Sequence, residues 1–184
     1  ISTTTPYYVQ AVDANTCISS RATATATINT IPADPTTTDS IFCGPGSTST
    51  LLASGGGIYW YDDASGTNQV GTGGVWVTPT LSATTTFYAQ SFNGTCGSAF
   101  IPATATMVGL PTVSVGPDTA VEIGTAYLMD AGAGFSFYQW NTGDQTQTVN
   151  ILYPDTFCVT VTDANGCTNS DCAIIDFFVG VSSP

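Results

Sequence analysis

Apolar and polar residues alternate along short runs of this chain, and no stretch shows the i, i+3, i+4, i+7 apolar spacing of an amphipathic helix. The clearest run follows Asp155: Phe157, Val159 and Val161 point one way, and Cys158, Thr160 and Thr162 the other. Comparable runs of β-branched and aromatic residues occupy Ser49–Ala53, Ile58–Tyr61, Val75–Thr78, Thr86–Phe92 and Phe100–Met107. A second set covers Thr112–Val115, Ala120–Ile123, Tyr127–Asp130, Ser136–Trp140, Thr146–Ile151 and Cys172–Phe177. Gly, Asn, Asp and Pro punctuate them at roughly 8–12-residue intervals, which predicts an all-β fold of two-sheet sandwiches. Trp60 and Trp140 sit on mid-segment strands and are expected in the cores, with their strand neighbours facing out.

One hairpin pattern occurs three times: Pro6 to Cys17, Thr86 to Cys96 and Thr156 to Cys167. Each is an alternating strand, an Asn-containing turn, a Cys and a second Thr- or Ala-rich strand, which is hairpin chemistry. Repeats roughly 70–80 residues apart indicate tandem modules. The expected segments are 1–30, the closing hairpin of a truncated Ig-like module; 31–109, an Ig-like module; and 110–184, a further module. Pro32, Pro35, Pro111 and Pro117 punctuate the boundaries. A lone hairpin is marginal in water. Residues 1–30 are therefore expected to belong to a longer chain, or to complete a neighbouring molecule by strand addition.

Composition narrows the partners. The chain has 184 residues and a net charge of -12, with Arg21 its single base and no His. Such a charge repels phosphate backbones and anionic lipid, so nucleic acid and membrane insertion are not expected. With 42% hydrophobic and only 8% charged residues, the chain is not of the disordered class. Lacking His and Lys, it lacks the usual catalytic bases, and no enzymatic activity is expected. The Asp62–Asp63 pair reads as a hairpin turn. Asp62, Asp63, Asp130, Asp144, Asp163 and Asp171 lie at loops; calcium is possible there, but no spacing matches a calcium-loop motif and no cofactor is otherwise expected. Tyr59, Tyr61, Trp76 and Tyr138 flank acidic loops, where they read either as ordinary exposed strand aromatics or as a sugar-stacking surface.

Six cysteines without a paired Cys-x-x-Cys read as disulfides of an oxidising, extracellular compartment. Cys43 opens the second segment and Cys96 ends its penultimate strand, so a Cys43–Cys96 bond is expected. Counting outward from the Ala164–Cys167 turn sets Cys158 opposite Cys172, and a cross-strand bond is expected there. Cys17 and Cys167 occupy the same hairpin position as Cys96. No cysteine near Asp118–Ile123 stands where Cys43 does, so the partner of Cys167 stays open.

The run Cys43-Gly-Pro-Gly-Ser, then Gly57-Ile-Tyr-Trp-Tyr-Asp-Asp and Ala83-Thr-Thr-Thr-Phe-Tyr-Ala-Gln, resembles the Ig-like repeats of very large surface proteins in gliding Bacteroidota. Tyr138-Gln-Trp-Asn-Thr-Gly-Asp, followed by Asp155-Thr-Phe-Cys-Val-Thr-Val-Thr-Asp-Ala-Asn-Gly-Cys, resembles the PKD-like repeats of the same proteins. The resemblance covers nearly the whole chain. It implies a structural or adhesive repeat segment of a type IX-secreted adhesin or extracellular filament, with neighbouring repeats as partners and a surface polysaccharide or protein as the contact. The alternatives are accessory modules, carbohydrate-binding among them, of a secreted polysaccharide-degrading enzyme, or a self-assembling fibre subunit with N-terminal strand donation. It also implies O-glycosylation in Asp-Ser/Thr motifs, at Ser40, Thr119 and, as a looser match, Thr156.

Overall fold

The computed structural model describes residues 3–180; the outermost positions of the first and third expected segments, 1–2 and 181–184, lie outside them. Every regular element among the described residues is a strand. The first two, β1 (Thr5–Val9) and β2 (Ala22–Ala26), pair antiparallel from Thr5 opposite Ala26 to Val9 opposite Ala22. Then follow β3 (Thr36–Thr38), β4 (Ser40–Cys43), β5 (Thr50–Ser54), β6 (Ile58–Tyr61), β7 (Gln69–Thr72), β8 (Val75–Val77), β9 (Thr85–Ser91) and β10 (Ile101–Val108). They form sheets ordered β4-β10-β9-β6-β7 and β3-β5-β8. The rest is β11 (Thr119–Glu122), β12 (Tyr127–Asp130), β13 (Phe137–Trp140), β14 (Thr148–Ile151), β15 (Asp155–Thr162) and β16 (Thr168–Phe178), in sheets β11-β16-β15-β13 and β12-β14.

Contacts divide the chain into two compact units. One holds residues up to Thr37 with Leu52–Trp76 and Phe87–Pro102; the other holds Thr38–Leu51, Val77–Thr86 and the residues from Ala103 onward. In the first, β6 pairs with β9 and β7, with an irregularity between Trp60 and Tyr61 on the β7 side. Trp60 is fully buried and stacks on Trp76 at 5.6 Å, and Trp76 meets Phe87 edge-on at 4.9 Å. The buried indole keeps a partner: Trp60 Nε1 donates to the Gly73 carbonyl at 2.9 Å. Gly71 makes room for this stack, since a Cβ there would lie 2.1 Å from Trp76 Nε1.

In the second unit, one core joins Val121, Met129, Trp140, Val149, Ile151 and the inward row Phe157, Val159 and Val161. That row is the face the alternation predicts. Trp140 Nε1 donates to the Thr146 carbonyl at 2.8 Å. Two short strands run parallel to longer ones, β4 beside β10 and β11 beside β16. Each is fastened by the aspartate just before it. Asp39 Oδ1 accepts the Thr104 N–H at 2.7 Å, and Asp118 Oδ1 accepts the Ile174 N–H at 2.8 Å.

Several expectations change. Residues 112–115 form no strand: the Val115 N–H donates to Asp171 Oδ2 at 2.9 Å and Gly116 turns away at φ 90°. Elements β3, β4 and β7 are strands the alternation did not mark.

The Cys43–Cys96 bond does not form. Cys43 is bonded to Cys167, Cys158 to Cys172, and Cys96 and Cys17 are free. The reason is the direction of β4. Parallel pairing sets Cys43 opposite Val108, at the far end of β10, whereas Cys96 precedes the near end. The length of β10 alone, seven rises of about 3.3 Å, is roughly 23 Å, against the roughly 7 Å Cα limit of a disulfide.

Candidate functional site

The paired carboxylates are turn builders. Asp63 accepts the Ser65 N–H at 2.7 Å, the Ser65 hydroxyl, the Thr67 N–H at 3.1 Å and the Asn68 N–H at 3.2 Å. Asp62 accepts Asn68 Nδ2 at 2.7 Å. The Ser65 hydroxyl first, then the backbone donors, hold the Asp63 carboxyl below its ordinary pKa, while partial desolvation opposes them. A depressed folded pKa contributes stability above the unfolded value that is lost as pH falls through the folded one. Acidification below about pH 4 is therefore expected to open this turn. Amide protection at Thr67 and Asn68, taken relative to the intrinsic rate at each pH, should fall there, and Asp63→Asn should lower it already at neutral pH; unchanged protection in both cases would refute the turn-clamping role.

The other loop aspartates are likewise engaged one by one. Asp130 Oδ1 accepts the Gly132 N–H and Gln147 Nε2, both at 2.8 Å, and its pKa too is lowered, by Gln147 first. Asp144 accepts the Thr142 hydroxyl, Asp163 the Asn165 and Cys167 N–H groups, and Asp171 the Val115 N–H. Among the described residues no three Asp, Glu or Cys side chains come together as a metal site.

The four aromatics do not form one platform. Tyr59 packs edge-on to Phe92 at 5.7 Å and Tyr61 edge-on to Phe100 at 5.2 Å, on one face of β6. Trp76 lies against Trp60 in the core, and Tyr138 donates its hydroxyl to the Gly132 carbonyl at 2.8 Å. The three Asp-Ser/Thr positions are separate as well. The half-buried Ser40 hydroxyl is 2.6 Å from Ser49 Oγ, and the half-buried Thr119 hydroxyl donates to the Pro117 carbonyl at 2.9 Å. Thr156 is exposed at the start of β15.

Chemistry concentrates at the strand ends of the second unit. At the β4/β10 end, Gly44 N–H donates to the Val108 carbonyl, the Leu110 side chain lies over Gly44, and Cys43 is tied to Cys167. The Pro111 carbonyl accepts Asn169 Nδ2 at 2.8 Å. At the β11/β16 end, Ile123, Leu152, Tyr153, Pro154 and Phe177 with the Gly124–Ala126 backbone line a cleft of about 440 Å³. Its walls stay in solvent: Leu152 is 75% and Ile123 60% exposed. Alternation does not find this cleft, because Ile123 and Leu152 to Pro154 lie outside the strands and only Phe177 of its apolar walls is on one, β16. The adjacent Leu152-Tyr153-Pro154, apolar yet outside any strand pattern, is the signal it leaves in the sequence.

No curated protein matches this sequence. Among solved structures, the chain is similar to DIP-gamma IG1+IG2, at TM-score 0.37 and 8% identity over 80% of this chain and 99% of that one. It is also similar to the N-terminal Ig1-2 module of Drosophila receptor protein tyrosine phosphatase DLAR, at TM-score 0.31 and 15% identity over 80% and 100%. Against the N-terminal four Ig domains of Dscam1 isoform 6.9 the TM-score is 0.34 and the identity 13%, over 85% and 51%. Residues 32–109 match the family described as Ig-like domain, CHU_C associated. The chain is thus an all-β protein of tandem Ig-like β-sandwich modules.

Proposed function

We propose that this chain is a load-bearing repeat segment of a large secreted adhesin or extracellular filament, of the kind it resembles in gliding Bacteroidota. The observation that carries the reading is the Cys43–Cys167 bond, which ties residues on either side of the Leu110–Pro111 link. A bond in that position resists separation of successive repeats under tension, and Pro111 adds stiffness to the link. Two disulfides belong to an oxidising compartment, as an exported protein requires. The net charge of -12 keeps such an array soluble.

Pulling the chain from its two ends tests this. Under non-reducing conditions the span between Cys43 and Cys167, a separation of 124 residues, is expected to stay out of the force path. Adding reductant should then release about 400 Å of further extension, at about 3.3 Å per residue. Equal extension in both conditions would sink the load-bearing reading.

A further inference from the structure

We infer that copies of this chain dock head to tail, the turn between β1 and β2 of one copy seating against the cleft at the β11/β16 end of the next. The inference rests on the repeat-array reading and names the partner of one of its ends.

Within the chain, one such junction is already made. The β4/β10 end carries Leu110 over Gly44 and is bonded through Cys43 to Cys167, the last residue of the Asp163–Cys167 turn. The β11/β16 end matches it position by position. Asp118 stands for Asp39 and Val121 for Phe42; Glu122, opposite Phe178, stands for Cys43, opposite Val108. The Ile123 N–H donates to the Phe178 carbonyl at 2.9 Å as Gly44 donates to Val108. What differs is the chemistry. The small Gly44 is replaced by Ile123, and the cysteine by a carboxylate, beside an open apolar cleft walled by Leu152, Tyr153 and Phe177. Apolar burial there takes the part the disulfide takes at the other end.

The incoming turn also exists twice. Asp163 Oδ1 accepts the Asn165 and Cys167 N–H groups at 2.8 and 2.9 Å, and the Asp163 N–H donates to the Cys167 carbonyl at 2.9 Å. Asp13 Oδ1 accepts the Asn15 and Cys17 N–H groups at 2.9 and 2.8 Å, and the Asp13 N–H donates to the Cys17 carbonyl at 3.1 Å. Thr16, at φ 66°, even holds the left-handed conformation that Gly166 holds at φ 83°. Unlike its twin, this turn is fully exposed, with Cys17 free and Val12 and Ile18 in solvent on either side. The hairpin bears Arg21, the chain's only base, which offers a counter-charge to Glu122, the residue before the cleft-lining Ile123, although each copy carries a net charge of -12. Because turn and cleft are different surfaces of one chain, the contact is heterologous, and a pair of copies so joined still presents one free turn and one free cleft unless it closes into a ring.

Glu122→Cys, combined with Cys96→Ser to leave two free thiols, tests the geometry. In a buffer of oxidised and reduced glutathione, a thiolate at one site attacks the glutathione mixed disulfide at the other. One disulfide forms between the two sites and reduced glutathione leaves, so each crosslink consumes one oxidised glutathione and yields two reduced ones. The expected result is a ladder of covalent multimers on a non-reducing gel, with position 122 linked to position 17 of another copy in peptide mass spectra. Leu152→Asp in the same background should cut that link about tenfold or more, and Leu152 is exposed enough that the fold tolerates the charge. Monomers alone, links of 17 to 17 or 122 to 122 in excess, a link within one copy, or a ladder indifferent to Leu152→Asp would each overturn the inference. The pulling experiment above is independent of all four, since it reads Cys43–Cys167 within a single chain.

Discussion

Replacing Cys43 and Cys167 together by alanine is expected to lower unfolding stability by about 5 kcal/mol, more than the same replacement at Cys158 and Cys172. The bond closes a span of 124 residues, and the conformational freedom it denies the unfolded chain grows with the logarithm of that length. The same relation gives about 3 kcal/mol for Cys158–Cys172, which closes a separation of 14. Cys167 is fully buried, so alanine leaves only a small void and the entropic effect dominates. For a chain of this size the melting midpoint should fall by about 10–20 °C. Calorimetry on the two double variants decides the matter. If the Cys158/Cys172 variant melts at or below the Cys43/Cys167 variant, loop entropy does not govern the order, and the long-range bond is not the chief constraint on the unfolded chain.

The same two bonds show what sequence reasoning reaches. Cys158 and Cys172 lie on one hairpin, so their relation follows from counting outward from a turn, and the directly opposed register sets them face to face. Phe157, Val159 and Val161 were legible for the same local reason: a period of two assigns faces without reference to anything distant. Cys43 is different. Its partner depends on β4 running parallel to β10, and a parallel pairing leaves no turn in the sequence to betray it. Ser40–Cys43 is only four residues long, and its aspartate and its following glycine read as turn residues. The Asp39 and Asp118 carboxylates, taken as parts of modification motifs, act as fasteners of two parallel strands, a role visible only once the neighbouring strand is in place.

The aromatic surface failed in a related way. Trp76 was grouped with Tyr59 and Tyr61 because β7 went unrecognised. With β7 in place, Gly71 opens the space in which Trp76 lies on Trp60. The cleft at Ile123 and Leu152 was illegible for the opposite reason. Exposed apolar residues in turns look, in sequence, like residues awaiting burial.

Trp140→Ala should cost about 3–5 kcal/mol, and Trp60→Ala a similar amount, since each empties a fully buried site. The two variants separate on a second readout. Trp60 stacks on Trp76, so its loss leaves Trp76 facing a void, and emission from the remaining tryptophans should shift to the red under native conditions. Trp140 has no aromatic partner among the described ring pairs, and its loss should leave that emission unshifted while the unfolding midpoint drops. Phenylalanine at either site refines the test. It restores most of the volume but leaves the Thr146 or Gly73 carbonyl without its indole donor, a penalty of about 1–3 kcal/mol. If phenylalanine restores full stability, volume alone holds these cores. If it restores only part, the N–H to carbonyl bond fixes which way each indole lies, and with it the strand that carries the next turn.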